Sequence, residues 1–339
     1  MLTQKYRPKT FSKVEGSPFS LRVLRAVAKN PDQAPKTLLL SGPRGSGKTS
    51  CARILPRAIN CEKNVEDACN RCPTCSELLG ESSGLYVEYN CAHMGSVKQI
   101  RELQDSFSYS YSVGWRVVCF DEIQTSSPEA QQALLDILDE TPSGLFFVLC
   151  TTDSHKILDT VKSRCLELFF EALPHEKIVQ VLQSVTVEEG REFNHEVYDR
   201  IARRCDGDVR SALHYLEEAL LVGEEEFLQH IILLDDLFWE IFQLAIDSNT
   251  DPELYKKKLA LVLENPVQYI RRDFERFVKD LSDRVFLYRE AGTGRFQSFI
   301  FEWLKIQKYL ETRSDWNVYF NSLRRYRGAL PPQEEEIAP

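Results

Sequence analysis

Gly42-Pro43-Arg44-Gly45-Ser46-Gly47-Lys48-Thr49 carries the spacing G-x-x-x-x-G-K-T, with Ser50 directly behind it. Glycines so placed let successive backbone N–H groups close around phosphate oxygens, and a helix opening there adds a favourable dipole. Lys48 then reaches the β- and γ-phosphates of a nucleotide and Thr49 ligates magnesium. Further along, Arg116-Val-Val-Cys-Phe-Asp121-Glu122 is an apolar run ending in two carboxylates. Asp121 is expected to hold the magnesium through water. Glu122 is expected to polarise the attacking water, since hydrolysis needs a base near the γ-phosphate. Cys61, Cys69, Cys72 and Cys75 form C-x7-C-x2-C-x2-C, a ligand set suited to tetrahedral structural zinc. Finally, Ser96 reads as an N-cap opening a helix with cations at Lys98 and Arg101. That is either a phosphate-binding helix start or an ordinary solvated face.

These groups need a scaffold that brings them to one edge, and the pattern supplies it. Apolar runs at Thr37–Leu40, Tyr86–Tyr89, Val117–Phe120 and Phe146–Leu149 alternate with helical patterns, the order of a parallel sheet with helices on its faces. Ser127-Pro128 reads as an N-cap and a first-turn proline, ahead of Ala130, Ala133, Leu134, Ile137 and Leu138 at helical spacing. After Phe170 the β pattern stops. Three short helical segments follow, punctuated by Gly190, Gly207 and Gly223, and Asp208 is a plausible N-cap of the third. From about Leu228 the chain is amphipathic and nearly free of glycine, so a further helical region is expected, before an acidic tail at Pro331-Pro332-Gln-Glu-Glu-Glu.

The 339 residues favour more than one domain. At 43% hydrophobic and 27% charged, with 15 Gly and 15 Pro, the composition is that of a folded globular chain. A net charge of −9 argues against bulk attraction to nucleic acid and leaves only a local basic site. No stretch is long and uncharged enough to span a membrane and the start is no signal peptide, so a cytoplasmic protein is expected. Ten cysteines in such a chain are not expected to form disulfides. Cys119 and Cys150, within strands, read as small core residues.

Taken in order, Lys5-Tyr6-Arg7-Pro8-Lys9-Thr10-Phe11, the glycine loop, the cysteine insertion, Asp121-Glu122, Cys150-Thr151-Thr152-Asp153, Ser163-Arg164-Cys165 and Gly207-Asp208-Val209-Arg210-Ser211-Ala212-Leu213 resemble the AAA+ class. Within it they resemble the gamma/tau-type ATPase subunit of bacterial or phage sliding-clamp loaders. The match runs from residue 1 to about 220. The resemblance implies an α/β AAA+ domain at residues 1–172 with a zinc insertion at 61–75, a helical lid at 173–227, a helical oligomerising collar at 228–330 and a tail at 331–339. It implies that Tyr6, Arg7 and Pro8 border the adenine pocket. It also implies that Thr151 or Thr152, with Thr152 preferred, orients the water. Arg164 is implied to reach a neighbouring subunit's ATP, the bland alternative being an arginine satisfied by local carbonyls or Glu167. Arg210 is implied to reach the γ-phosphate from the lid, and Ser96, Lys98 and Arg101 to track template DNA.

The implied cofactors are ATP, Mg2+ and structural Zn2+. The implied partners are a sliding clamp, delta- and delta-prime-like subunits, further copies of the chain in a ring of five, and primer–template DNA. The cysteine spacing is one residue shorter after Cys61 than the family pattern, and Gln124 stands where the family commonly has histidine, with little mechanistic cost evident from sequence. Two rival functions remain open: another AAA+ motor, such as a helicase loader or Holliday-junction motor, and a non-hydrolysing delta-prime-type subunit. The zinc insertion and Ser163-Arg164-Cys165 count against the first; Lys48, Thr49 and Glu122 count against the second.

Overall fold

The computed structural model describes residues 1–63, 66–79, 84–92, 114–139, 141–231, 237–238, 240–241, 244 and 252–264, with 274, 316, 318 and 319 as single positions. The chain opens with helices α1 (Leu2–Lys5) and α2 (Pro18–Lys29), then enters the sheet at β1 (Thr37–Ser41). Next come α3 (Lys48–Ile59), α4 (Pro73–Leu79) in the cysteine segment, β2 (Tyr86–Asn90), β3 (Arg116–Asp121), α5 (Pro128–Asp139), β4 (Leu145–Thr151), α6 (Asp159–Lys162) and β5 (Leu166–Phe169). Helices α7 (His175–Glu188), α8 (His195–Cys205), α9 (Val209–Val222), α10 (Glu224–His230) and α11 (Pro252–Glu264) complete the described elements.

The five strands are all parallel, in the order β2-β3-β4-β1-β5. Parallel strands covered on both faces read as continuous apolar runs, and β1 and β4 are buried at every position. Alternation divides them between two cores. Leu38, Leu40, Val117, Cys119, Phe146, Val148 and Cys150 pack with residues of α2 and α3. Leu39, Val118, Phe120, Phe147 and Leu149 pack with α5 through Ala130, Leu134, Ile137 and Leu138. Each of the Val, Leu, Ile and Phe side chains so withdrawn from water contributes roughly 1.5–3 kcal/mol.

β5 corrects the four-strand expectation. It is short and lies at the sheet edge, with Leu168 buried while Glu167 and Phe169 are exposed, so it shows no continuous apolar run. Ser127 does cap α5, its Oγ accepting from Ala130 N–H at 3.2 Å. Gly207, at φ +81°, makes the turn between α8 and α9, and a Cβ there would stand 2.8 Å from Ala172 Cβ.

Met1–Glu224 form one compact unit and Glu225–Pro339 a second. In the second, Phe274 stacks edge-on against Phe238, Trp316 and Tyr319 at centroid distances of 4.9, 5.4 and 5.6 Å. Lys258 pairs with Glu240 at 2.6 Å. Among the described residues no helix is long and apolar enough to cross a membrane.

Candidate active site

Parallel register puts the C-terminal ends of β1, β3 and β4 on one edge, where ligands of such sheets bind. The glycine loop leaves β1 there and is tied back to β4 by Gly42 N–H donating to Thr151 O at 3.2 Å. Gly42, Gly45 and Gly47 all have positive φ, at +143°, +74° and +97°. A Cβ on Gly42 would lie 2.0 Å from Phe170 O, so the loop has the close backbone packing a phosphate cradle requires. Ser46 is buried and donates to Pro43 O at 2.8 Å, while Pro43 and Arg44 are exposed and Ser50 is half-buried on α3.

Lys48 is buried, and its Nζ donates to Gly42 O at 2.8 Å and Pro43 O at 2.6 Å. Burial pushes its ammonium pKa down, opposed by Cys150 and by the carboxylates of Glu122, Asp121 and Asp208. Thr49 Oγ1 donates to Asp121 Oδ2 at 3.0 Å, which places a hydroxyl and a carboxylate together as oxygen ligands for a hard cation. Burial raises the pKa of the Asp121 carboxyl, with Thr49 acting against it. Magnesium held here would neutralise phosphate charge, and the donor set fits it.

Glu122 follows at φ +54°, a left-handed backbone that a glutamate adopts only under constraint. Its carboxylate accepts from the Gln124 amide and, at 3.5 Å, from Thr152 Oγ1. Thr151 is buried and donates instead to Gln124 Oε1 at 2.8 Å. Of the two candidate threonines, the exposed Thr152 is therefore the one whose hydroxyl faces Glu122.

The N-terminal arm lies near Arg53 and Arg210 through Arg7. Arg7 is half-buried, and its guanidinium is pushed down by burial and by the charges of Arg53 and Arg210. Tyr6 turns its hydroxyl to Glu189 at 2.6 Å, a carboxylate Lys5 also pairs with at 2.7 Å. Pro8 is half-buried. Arg210 lies exposed on the first turn of α9, where Asp208 caps the helix by accepting from Arg210 N–H at 2.8 Å and Ser211 N–H at 3.2 Å.

Arg164 is not near these groups in its own chain's contacts. Its Nε and Nη2 grip the two oxygens of Asp139, the latter bond 2.9 Å long, and Nη1 donates to Thr160 O at 2.8 Å. Glu167, the alternative partner weighed from sequence, accepts from Ser41 Oγ at 3.1 Å. Ser96, Lys98 and Arg101 lie outside the described residues.

The four cysteine sulfurs lie within 4.8 Å of one another. Sulfurs around one zinc, each about 2.3 Å from it, stand about 3.8 Å apart, so the cluster fits with slight contraction. Cys69 Sγ accepts from Arg71 and Cys72 N–H at 3.5 and 3.4 Å, which pulls its thiol down to about 6. Burial pushes the Cys75 thiol up, a penalty that a bound dication offsets. The insertion also grips the arm: Asp67 accepts from Phe11 and Ser12 N–H at 2.8 and 2.9 Å, and Asn70 donates to Lys9 O at 3.1 Å.

Sequence reasoning missed several partners. Arg53 donates through Nε and Nη2 to Glu88 at 2.7 and 2.8 Å, and Tyr86 adds a bond of 2.6 Å. Asp139, Glu189 and the linking role of Gln124 were missed too. Arg53 with Glu88, Arg164 with Asp139 and Glu189 with the arm join separate elements and leave no spacing signature, whereas Tyr86 and Glu88 stand two apart on β2.

A parallel sheet of this order, carrying a glycine loop and two strand-end carboxylates at its C-terminal edge, defines a P-loop domain of the AAA+ class. Two point mutants of RuvB from Thermotoga maritima superpose with a TM-score of 0.50 at 15% identity, covering 93% of this chain and 91% of theirs, which shows the fold alone. Residues 17–174 match the family described as DNA polymerase III, delta subunit. DNA polymerase III subunit gamma of Buchnera aphidicola from Acyrthosiphon pisum is 30% identical over 317 residues, 91% of this chain and 85% of that protein. The chain belongs to the DNA polymerase III gamma/tau family. The gamma subunit of Buchnera from Schizaphis graminum is 32% identical over 65% of this chain, and subunit tau of Escherichia coli 33% over 66%. The chain spans 61% of the former's length and 35% of the latter's.

Proposed function

We propose that this chain is an ATP-hydrolysing motor subunit of a DNA polymerase III clamp loader, which uses nucleotide binding and hydrolysis to place a sliding clamp on primer–template DNA. The observation that carries the reading is the convergence of Lys48, the Thr49–Asp121 pair, Glu122 and Thr152 on one sheet edge, in a member of the gamma/tau family. Lys48 complements the phosphate charge, Thr49 and Asp121 hold magnesium, Glu122 accepts a proton from the attacking water and Thr152 orients it. Gly42, Pro43, Arg44, Gly45, Ser46, Gly47 and Ser50 surround the phosphates, while Tyr6, Arg7 and Pro8 border the base. Arg210 senses the γ-phosphate from a lid at 173–227, and Arg164 acts on the neighbouring subunit's nucleotide. Cys61, Cys69, Cys72 and Cys75 hold zinc.

The same reading assigns residues 228–330 to a collar that joins copies of the chain with delta- and delta-prime-like subunits in a ring of five. Ser96, Lys98 and Arg101 contact DNA, and the protein works in the cytoplasm. The proximity of Glu122 and Thr152, beside the Thr49–Asp121 pair, supports hydrolysis over the non-hydrolysing alternative. The test is titration of the full chain and its Lys48→Ala variant with a fluorescent ATP analogue. Loss of binding in the variant is expected; equal affinity overturns the site assignment.

A further inference from the structure

The carboxamide of Gln124 joins the two strands that carry the hydrolytic groups. Its Nε2 donates to Glu122 Oε2 and, at 2.9 Å, to Thr152 Oγ1; its Oε1 accepts from Thr151 Oγ1 at 2.8 Å and from Thr152 N–H at 3.4 Å. The amide's orientation is chemically determined: a backbone N–H can only donate and an ionised carboxylate can only accept, so oxygen must face Thr152 N–H and nitrogen must face Glu122. Residue 124 sits in the short turn Ile123–Thr125 after β3, and its partners end β4. A side chain of this length with both a donor and an acceptor is what spans the gap.

We propose that Gln124 is a positioning residue for hydrolysis: its amide fixes the Glu122 carboxylate and registers it to the hydroxyl of Thr152. This rests on the ATPase reading above. The Glu122 backbone is held left-handed, with Thr125 N–H closing the turn onto Glu122 O at 2.9 Å, so the freedom left to the base is in its side chain. Gln124 removes that freedom through a donor on one carboxylate oxygen. The same amide nitrogen bonds Thr152, so a movement at the end of β4 is transmitted to the base without passing through the glycine loop.

The test compares the full chain with Gln124→Glu, a nearly isosteric change that keeps an acceptor for Thr151 and Thr152 N–H but replaces the donor facing Glu122 with an oxygen. Misplacing a catalytic group by about 1 Å costs on the order of 10²-fold. The variant is therefore expected to lose about that factor in kcat for ATP while its affinity for a fluorescent ATP analogue stays within about threefold of wild type. In a Glu122→Gln background the same change is expected to cost nothing further, because Gln124 acts through Glu122. Gln124→His, which offers one ring N–H donor and one ring acceptor, is expected to restore most of kcat.

Three results overturn the proposal: wild-type kcat in Gln124→Glu, a loss confined to nucleotide affinity, or a kcat loss that multiplies in full with that of Glu122→Gln. Absence of turnover in the wild-type chain assembled with its loader partners overturns instead the ATPase reading beneath it. Melting temperature measured on every variant separates repositioning from loss of fold, since a merely structural role for the bonds of the Gln124 amide nitrogen lowers it in Gln124→Glu and in the double variant alike.

Discussion

Gly45 lies so close to Asp208 that a Cβ on the glycine would stand 1.8 Å from Asp208 Oδ1 and 3.0 Å from its Cα. The phosphate loop therefore rests on the residue that caps α9, the helix carrying Arg210. Loop and helix cannot shift independently while that contact lasts. The position of the loop and the start of α9 are mechanically linked through one glycine without a side chain.

Gly45→Ala is accordingly expected to destabilise the fold by about 1–3 kcal/mol, since it adds both a left-handed alanine and an overlap with the Asp208 carboxylate. It is also expected to weaken ATP binding. Asp208→Ala should cost about 1 kcal/mol through the lost cap, and the double variant less than the sum, because the alanine's nearest clash is with the Asp208 carboxylate. Chemical unfolding of the three variants checks this; strict additivity counts against the contact.

Arg164 is engaged by Asp139 on the surface of its own chain, and that exposed pair raises the guanidinium's pKa while lowering the carboxyl's. For Arg164 to serve a neighbouring site, its free N–H groups must face outward or the Asp139 bond must open. Arg164→Ala is expected to bind ATP normally and melt as wild type, yet to lose about 10³-fold in turnover once assembled. Mixing Arg164→Ala with Lys48→Ala subunits is the check. A trans-acting arginine restores activity only at interfaces that pair an intact Arg164 with an intact Lys48, whereas activity linear in the mixture regardless of neighbours excludes it.

One zinc per chain is expected to co-purify, held by Cys61, Cys69, Cys72 and Cys75, because their sulfurs already lie within 4.8 Å of one another. Chelation is expected to lower the melting temperature, and also to weaken nucleotide binding, since Asp67 and Asn70 of the same insertion hold the arm at Lys9, Phe11 and Ser12. Elemental analysis, with melting curves before and after chelator, tests both parts; metal retained in a Cys72→Ser/Cys75→Ser variant rejects the assignment.

Burial acts against the Glu88 carboxylate, but Arg53 and Tyr86 prevail and hold its pKa below the ordinary glutamate value. A carboxyl depressed in the folded state contributes stability that is complete above its unfolded value and is lost as pH falls through the folded one. Glu88→Gln should therefore flatten the acid limb of stability. Asp121, whose pKa burial raises, contributes the opposite slope. Glu88 adds to that rise, so Glu88→Gln also lessens the Asp121 slope and partly offsets the flattening. Urea unfolding of wild type and variant between pH 7 and about pH 3 measures the net flattening, and parallel curves refute it.

How much was legible in the sequence follows from how far each interaction reaches. The glycine loop, the strand-end carboxylates, the Ser127 and Asp208 caps and the helix-ending glycines are local patterns, and one stretch of chain contains both the group and its physical requirement. Continuous apolar runs likewise announced β1, β3 and β4, because burial on both faces leaves few polar positions, and the aromatic and branched residues of β2 announced that half-buried edge strand. β5 escaped because it is only four residues long and buries Leu168 alone.

What the tertiary structure alone decided is who faces whom. Thr151 and Thr152 are equivalent by sequence, but the pleat of β4 turns the first into the core against Gln124 and leaves the second beside Glu122. Gln124 showed no role until β3 and β4 were laid side by side, and Arg164 acquired Asp139, 25 positions away, only when α5 and the turn after α6 came together. A bond between side chains on separate elements leaves no spacing in the sequence, since the chain between them is free to vary in length while strand register, not residue count, sets the distance.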